Sequence, residues 1–217
     1  MTTTPDPQPP RTQRADAQRN RDRILEVART VIGEQGTQAS LRDIARRAGV
    51  GLGTLYRHFP TRDALLETLL GQRFDRLAEK AALIEDTRPP DEALTEWLRE
   101  FTAGATVYRG LVTSMMATLE DEGSPLHASC LAMRTAAARL LERAQDSGHI
   151  RPDIDGTDLF ALINAVGWIA DQAPSIATRR EHLLSLVMDG LVRHPAPART
   201  TSPRQDAADH DQRGRRA

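Results

Sequence analysis

Ser40-Leu-Arg-Asp-Ile-Ala-Arg-Arg-Ala-Gly-Val-Gly-Leu-Gly-Thr-Leu-Tyr-Arg-His-Phe-Pro-Thr-Arg62 contains two short helical periods around a glycine. Ser40 can cap the first, and Asp43, three residues on, completes a capping-box pattern. Leu41, Ile44, Ala45 and Ala48 recur at helical spacing, which leaves Arg42, Arg46 and Arg47 on other faces. Gly49 ends that helix, because glycine accepts a positive φ without steric cost. Val50 can plug the angle between the helices. The second helix is expected from about Gly51 or Leu52 to Phe59, and Pro60 stops it. Leu55 and Phe59 are four apart and face inward, so Leu52, Gly53, Thr54, Tyr56, Arg57 and His58 fall on outer or flanking faces.

An outer strip of this composition suits DNA. Arg57 and His58 can meet phosphates or base edges, and the hydroxyls of Thr54 and Tyr56 reach phosphate oxygens. The Thr54 methyl can touch a thymine methyl. Gly53 has no side chain, so backbone and duplex can approach closely. Spacing and composition still leave two readings open: a helical hairpin with a solvated face, or a helix–turn–helix whose second helix lies in the major groove.

The residues of the stretch, taken in order, separate them. Ile44-Ala45-x-x-Ala48-Gly49-Val50 followed by Gly53-Thr54-Leu55-Tyr56-x-His58-Phe59 resembles the DNA-binding signature of the TetR (tetracycline-repressor) family. The likeness continues through Thr61-Arg62-Asp63-x-Leu65-Leu66, where Arg62 keeps the positive charge of the lysine usual in that family. Gly51 departs from it, since the family most often has a capping Ser there. Glycine caps acceptably, at a loss of about a few tenths of a kcal/mol. The resemblance is specific over roughly residues 20 to 70 and architectural beyond. It implies Ser40, Arg42, Gly51, Leu52, Gly53, Thr54, Tyr56, Arg57, His58 and Arg62 as candidate DNA contacts.

Charge agrees with a DNA-binding head. Residues 1–62 hold 11 Arg and 6 acids, a net of +5, whereas residues 63–217 hold 18 bases and 24 acids, a net of −6. Only the front of the chain has the excess that phosphate binding needs. The 217 residues suffice for a sizeable core. Aromatics are scarce at 4%, which favours a helical core of Leu, Ala, Ile and Val. Cys130 is the sole cysteine, which excludes an intramolecular disulfide. The N-terminus is polar and proline-rich, and no run approaches the roughly 18 apolar residues of a membrane span. A soluble cytoplasmic protein is expected.

The rest reads as helices throughout, an all-α chain of about nine. Residues 1–15 read as a disordered arm, weakly basic through Arg11 and Arg14. A helix from about Ala17 to Gln35 carries Ile24, Leu25, Ala28, Val31 and Ile32, and completes a three-helix head over residues 16–62. Such a head is marginal alone and should lean on the helices C-terminal to it. A regulatory and dimerisation domain is expected over residues 63–193, and a disordered tail over 194–217. Thr61 caps a linking helix to about Ile84. Further helices are expected at about 91–105, 111–120, 125–148, 156–173 and 176–192, with Ser124-Pro125 and Asp155/Asp158 as start signals.

The resemblance implies that the last two helices pair with their twofold mates in a homodimer on palindromic double-stranded operator DNA. Gly167 and Gly190, and the stripe Leu183, Leu186, Val187 and Leu191, fit such packing. It also implies a pocket among the middle helices, in which an unknown small molecule tilts the linking helix and releases DNA. Candidate lining residues are Trp97, Phe101, Tyr108, Met115, Met116, Leu119, Met133, Phe160, Asn164 and Trp168, with Asp171 near Asn164. Aromatics and flexible methionines suit an apolar or aromatic effector. Asn164 amid apolar neighbours is expected to be buried and in need of a partner.

Two rivals remain: a regulator of the same fold without a ligand, and an enzyme built on the C-terminal helices. No glycine-rich phosphate loop, nucleophile elbow or carboxylate pair supports catalysis, and no cofactor or metal is expected. His127 and Cys130 lie three apart on one helix, without an evident third ligand.

Overall fold

A computed structural model describes residues 11–104, 115–172, 175 and 178–193. Among these lie nine helices: α1 (Arg11–Gln35), α2 (Leu41–Arg47), α3 (Leu52–His58), α4 (Arg62–Glu85), α5 (Pro90–Ala103), α6 (Met116–Glu120), α7 (Pro125–Asp146), α8 (Gly156–Gln172) and α9 (Arg180–Leu191). The all-α expectation holds. The sole β feature among the described residues is an isolated antiparallel bridge between Ile150 and Val192.

Local chemistry sets most boundaries. Thr61 accepts a hydrogen bond from the Ala64 N–H at 3.0 Å and so starts α4. Ser124 accepts one from the His127 N–H at 3.0 Å, and Pro125 takes the first helical position of α7. Asp155 accepts from the N–H groups of Thr157 and Asp158, while Asp158 accepts from the Asp155 N–H at 3.1 Å. That is a reciprocal capping box. The backbone hydrogen bonds, with those from Asp158 and Thr157 foremost, hold the Asp155 carboxyl below the usual carboxylate range. Gly36, Gly49 and Gly148 follow helix ends with φ of +77°, +66° and +80°.

Two boundaries differ from expectation. α1 begins at Arg11 rather than near Ala17, so residues 11–15 of the expected arm are helical. Arg, Gln and Ala in this segment are strong helix formers, but the sequence there gives no apolar period to read. The last helix begins at Arg180 rather than near Ile176. Residues 1–10 of the arm, the tail 194–217 and residues 111–114 of the expected sixth helix lie outside the described residues.

The linking helix joins two parts of one core. Leu65, Leu66, Leu69 and Leu70 are buried in the first half of α4, and Phe74, Leu77, Ala81 and Ile84 in the second. α7 packs along α4, and α5 covers both. Polar ties fix the register. The Trp97 indole N–H donates to the Leu77 carbonyl at 2.8 Å. The Lys80 ammonium pairs with Glu96, and Arg143 donates to the Glu85 carbonyl at the end of α4.

Arg73 on α4 donates to the Phe101 carbonyl at 2.5 Å, near the end of α5. Gly104 makes room for this, since a Cβ there would overlap the Arg73 guanidinium. Gly104→Ala should therefore displace Arg73 and destabilise the fold by about 1.5–3 kcal/mol, the scale of a hydrogen bond from a charged donor. Urea denaturation of the two proteins checks this; equal midpoints would show that Arg73 relocates at no cost.

Candidate nucleic-acid interface

Seven residues are too few for α3 to persist alone. Tertiary burial holds it. Leu55 and Phe59 are completely buried against α1 and α2. The Arg21 guanidinium covers the Phe59 ring at 5.2 Å from its centroid. Val50 is half-buried against the same core. With that face locked, the opposite one is fixed. Gly53, Tyr56 and Arg57 are exposed, and Leu52, Thr54 and His58 flank them half-buried. Tyr56 keeps 44% of its surface exposed, a high value for an aromatic side chain.

Gly53 carries the most telling geometry. A Cβ at this position would meet nothing within 4 Å. Internal packing does not require glycine here. Gly51 caps α3 without a side-chain hydrogen bond, as the sequence implies.

The arginines of α2 behave differently. Ser40 accepts from the Asp43 N–H at 3.4 Å, but the Asp43 carboxylate does not close the box. It binds Arg46 at 2.6 Å and Arg47 at 2.9 Å instead. Arg47 also pairs with Glu34 of α1 at 2.8 Å. The hydrogen bond from Arg46 holds the Asp43 carboxyl below the ordinary carboxylate range. The charges of Arg46 and Arg47 are thus partly met within the head, while exposed Arg42 and Arg57 form no ion pair among the described residues.

Arg62 does not join the outer face. Its guanidinium donates to the carbonyls of Thr37 at 2.9 Å and Ala39 at 2.7 Å, tying the α1–α2 turn to the start of α4. No local pattern signals this, because the acceptors lie more than twenty residues away.

The residues singled out for an effector split into groups. Trp97 stacks on Phe101 at 5.5 Å between ring centroids, and both meet Phe160 edge-on at 6.5 and 5.5 Å. The Arg134 guanidinium lies over the Phe160 ring at 5.5 Å. Among the described residues, these rings leave no space between them for a water molecule. Met115 and Met133 are buried, and Leu119 half-buried, in the same continuous core. Met116, Asn164 and Trp168 face outward instead. The expectation of a buried Asn164 is overturned: its amide donates to the Phe160 carbonyl one turn back, at 2.8 Å, on the exposed side of α8. Tyr108 and the Asp171 side chain lie outside the described residues.

Residues 24–69 match the family described as bacterial regulatory proteins, tetR family, and residues 89–193 match the C-terminal domain of SbtR-like transcriptional regulators. Over 165 residues the chain is 32% identical to the HTH-type transcriptional regulator UidR of Escherichia coli K12, spanning 72% of this chain and 83% of that one. The chain belongs to the TetR family. It is a DNA-binding transcriptional regulator and not an enzyme. The HTH-type transcriptional repressor KstR2 of Rhodococcus jostii is 26% identical over 198 residues, covering 84% of this chain and 96% of that protein. The crystal structure of the TetR regulator SCO0520 from Streptomyces coelicolor superposes with a TM-score of 0.65 at 38% identity, covering 81% of this chain and 99% of that one. Among the described residues, no helix of this TetR-family chain is long and apolar enough to cross a membrane.

The His127/Cys130 pair has a structural account. The His127 ring Nδ1 lies 2.7 Å from the Leu119 carbonyl and ties α6 to α7. Burial pushes the Cys130 thiol up, against a smaller opposing effect of Arg134, so it is a poor thiolate source.

Arg62→Ala should lower the stability of the DNA-free regulator by about 1.5–3 kcal/mol, the scale of hydrogen bonds from a charged donor. Arg62→Lys should recover only part, since one ammonium does not reproduce the guanidinium fork. Chemical denaturation without DNA measures both; an unchanged midpoint in Arg62→Ala would return Arg62 to the outer face.

Proposed function

We propose that this regulator is a repressor that binds a palindromic operator as a homodimer and leaves it when a small molecule binds the helical body. The observation that carries the DNA part is the outer face of α3, where Tyr56 and Arg57 stand exposed beside a Gly53 that internal packing does not need. That combination suits a backbone pressed against a duplex in the major groove. The exposure of Ser40 and Arg42 at the start of α2 supports phosphate contacts there. Repression is the role named for the similar KstR2.

The homodimer reading rests on apolar surface that the monomer leaves uncovered. On α8, Leu162, Trp168 and Ile169 are exposed, Trp168 by 63%. On α9, Leu186 is exposed, and a Cβ at Gly190 would meet nothing. Of the expected α9 stripe, Leu191 is buried, Leu183 and Val187 are half-buried and Leu186 is exposed, so it divides between core and surface. An isologous pair of these helices covers both faces and presents two heads to two half-sites. Trp168→Glu should yield a folded monomer by sedimentation velocity; a dimer of undiminished affinity would exclude this face.

Gly53→Ala separates DNA contact from folding. Alanine is about 1 kcal/mol better than glycine inside a helix. The variant should melt higher yet bind operator DNA at least tenfold more weakly. Arg57→Ala should weaken binding and reduce the salt slope by about one. Mobility shifts on DNA from upstream of the gene, over a salt series, read both. Undiminished affinity in Gly53→Ala and Arg57→Ala would refute the α3 contact.

The filled aromatic cluster favours a second reading, a regulator with no effector. A separate cleft along α5 bears on that choice.

A further inference from the structure

A hollow separate from the aromatic cluster lies along the flank of α5 that carries Asp91, Thr95 and Arg99. It is a cleft of about 300 Å³ between α5, the connector after α7 and α9. That is near the lower end of ligand-pocket volumes, roughly 300–1,000 Å³. Its floor is apolar: Ile150 and Leu184 are buried, with Met188 and Val192 beside them. Its walls are polar and mostly acidic. Asp91 comes from the first turn of α5, and Glu181 and Asp189 from α9. Arg99, at 3.6 Å from Glu181, meets one of the three carboxylates. Asp91 and Asp189 form no ion pair among the described residues. Three carboxylates against the one guanidinium of Arg99 leave the lining negative over an apolar floor.

We propose that this cleft binds an amphipathic organic cation, its ammonium beside Asp91 and Asp189 and its apolar body over Leu184, Met188 and Val192. A carboxylate ligand would face uncompensated like charge, and a wholly apolar one would strip water from the carboxylates without replacing it. The position also explains how such a ligand would act. α5 is bound to α4, which carries the head, through Trp97–Leu77, Lys80–Glu96 and Arg73–Phe101. α9 is clasped to the α7–α8 connector by Arg151 N–H to the Leu191 carbonyl at 2.9 Å and Arg193 N–H to the His149 carbonyl at 2.8 Å. A ligand in the cleft sets the spacing between these two assemblies. This consequence for DNA rests on the effector-release reading; the binding site does not.

Three probes of one shape test it by calorimetry on the full chain: 4-phenylbutylamine, 4-phenylbutan-1-ol and 4-phenylbutyrate. The amine should bind at least tenfold more tightly than the alcohol, and the carboxylate most weakly. In the Asp91→Asn/Asp189→Asn variant the amine should fall to the level of the alcohol, whose own affinity stays unchanged. Ser185→Trp, at an exposed wall position, should abolish binding of all three. No amine binding, equal binding of the three probes, or an amine preference that survives loss of both carboxylates overturns the site. A mobility shift with saturating amine then separates the two ideas. Amine that binds in the carboxylate-dependent manner and leaves DNA affinity unchanged supports the cleft and overturns effector release.

Discussion

Helix α4 is shared by two halves of one apolar core, and this sharing constrains everything else. Its first two turns bury leucines against the head, and its later turns bury Phe74, Leu77 and Ile84 against α5 and α7. A head of three helices is too small to be robust by itself. It borrows burial from α4, and Arg62 adds a tie from the base of α4 to the α1–α2 turn. Head and body therefore cannot move independently of α4. The polar ties from α5 and α7 to α4 make the same point from the other side, since any shift of α5 carries the Trp97–Leu77 bond with it.

The head divides its positive charge between two tasks. On α2, Asp43 and Glu34 draw Arg46 and Arg47 into an internal network that fixes α2 against α1. Such exposed pairs contribute little to stability individually. Their value lies in orienting side chains. On α3, by contrast, Arg57 and His58 form no ion pair among the described residues, and the inward pair Leu55 and Phe59 fixes which way the helix faces. Recognition of a duplex needs this rigid placement, because base contacts depend on register as much as on charge.

In the body, three aromatic residues are committed to packing. Trp97, Phe101 and Phe160 meet in stacked and edge-on geometry, and Trp97 has its indole N–H satisfied. Among the described residues, these rings leave no space between them for a ligand. The cleft lies where α9 meets α5 across a polar lining, so its walls cannot close as an aromatic core does. Two flanks of α5 thus serve cohesion and openness respectively.

The sequence by itself determined the helix–turn–helix, because its signals are local: caps at Ser40 and Thr61, the positive φ of Gly49, the stop at Pro60, and the spacing of Leu55 and Phe59. The capping box at Asp155 and Asp158 was legible for the same reason. The pairing of Asp43 with Arg46 and Arg47 was readable from its three- and four-residue spacing, yet only the structure shows it displacing the expected box. Tertiary structure alone decided that Arg62 turns inward, that Asn164 and Trp168 face outward, and that the aromatic residues close on one another. It alone assembled the cleft, whose walls come from residues 91–99, 149–150 and 181–192. Periodicity reports which residues share a helix face. It does not report which neighbour, ligand or solvent that face will meet, because that depends on contacts between segments far apart in the chain.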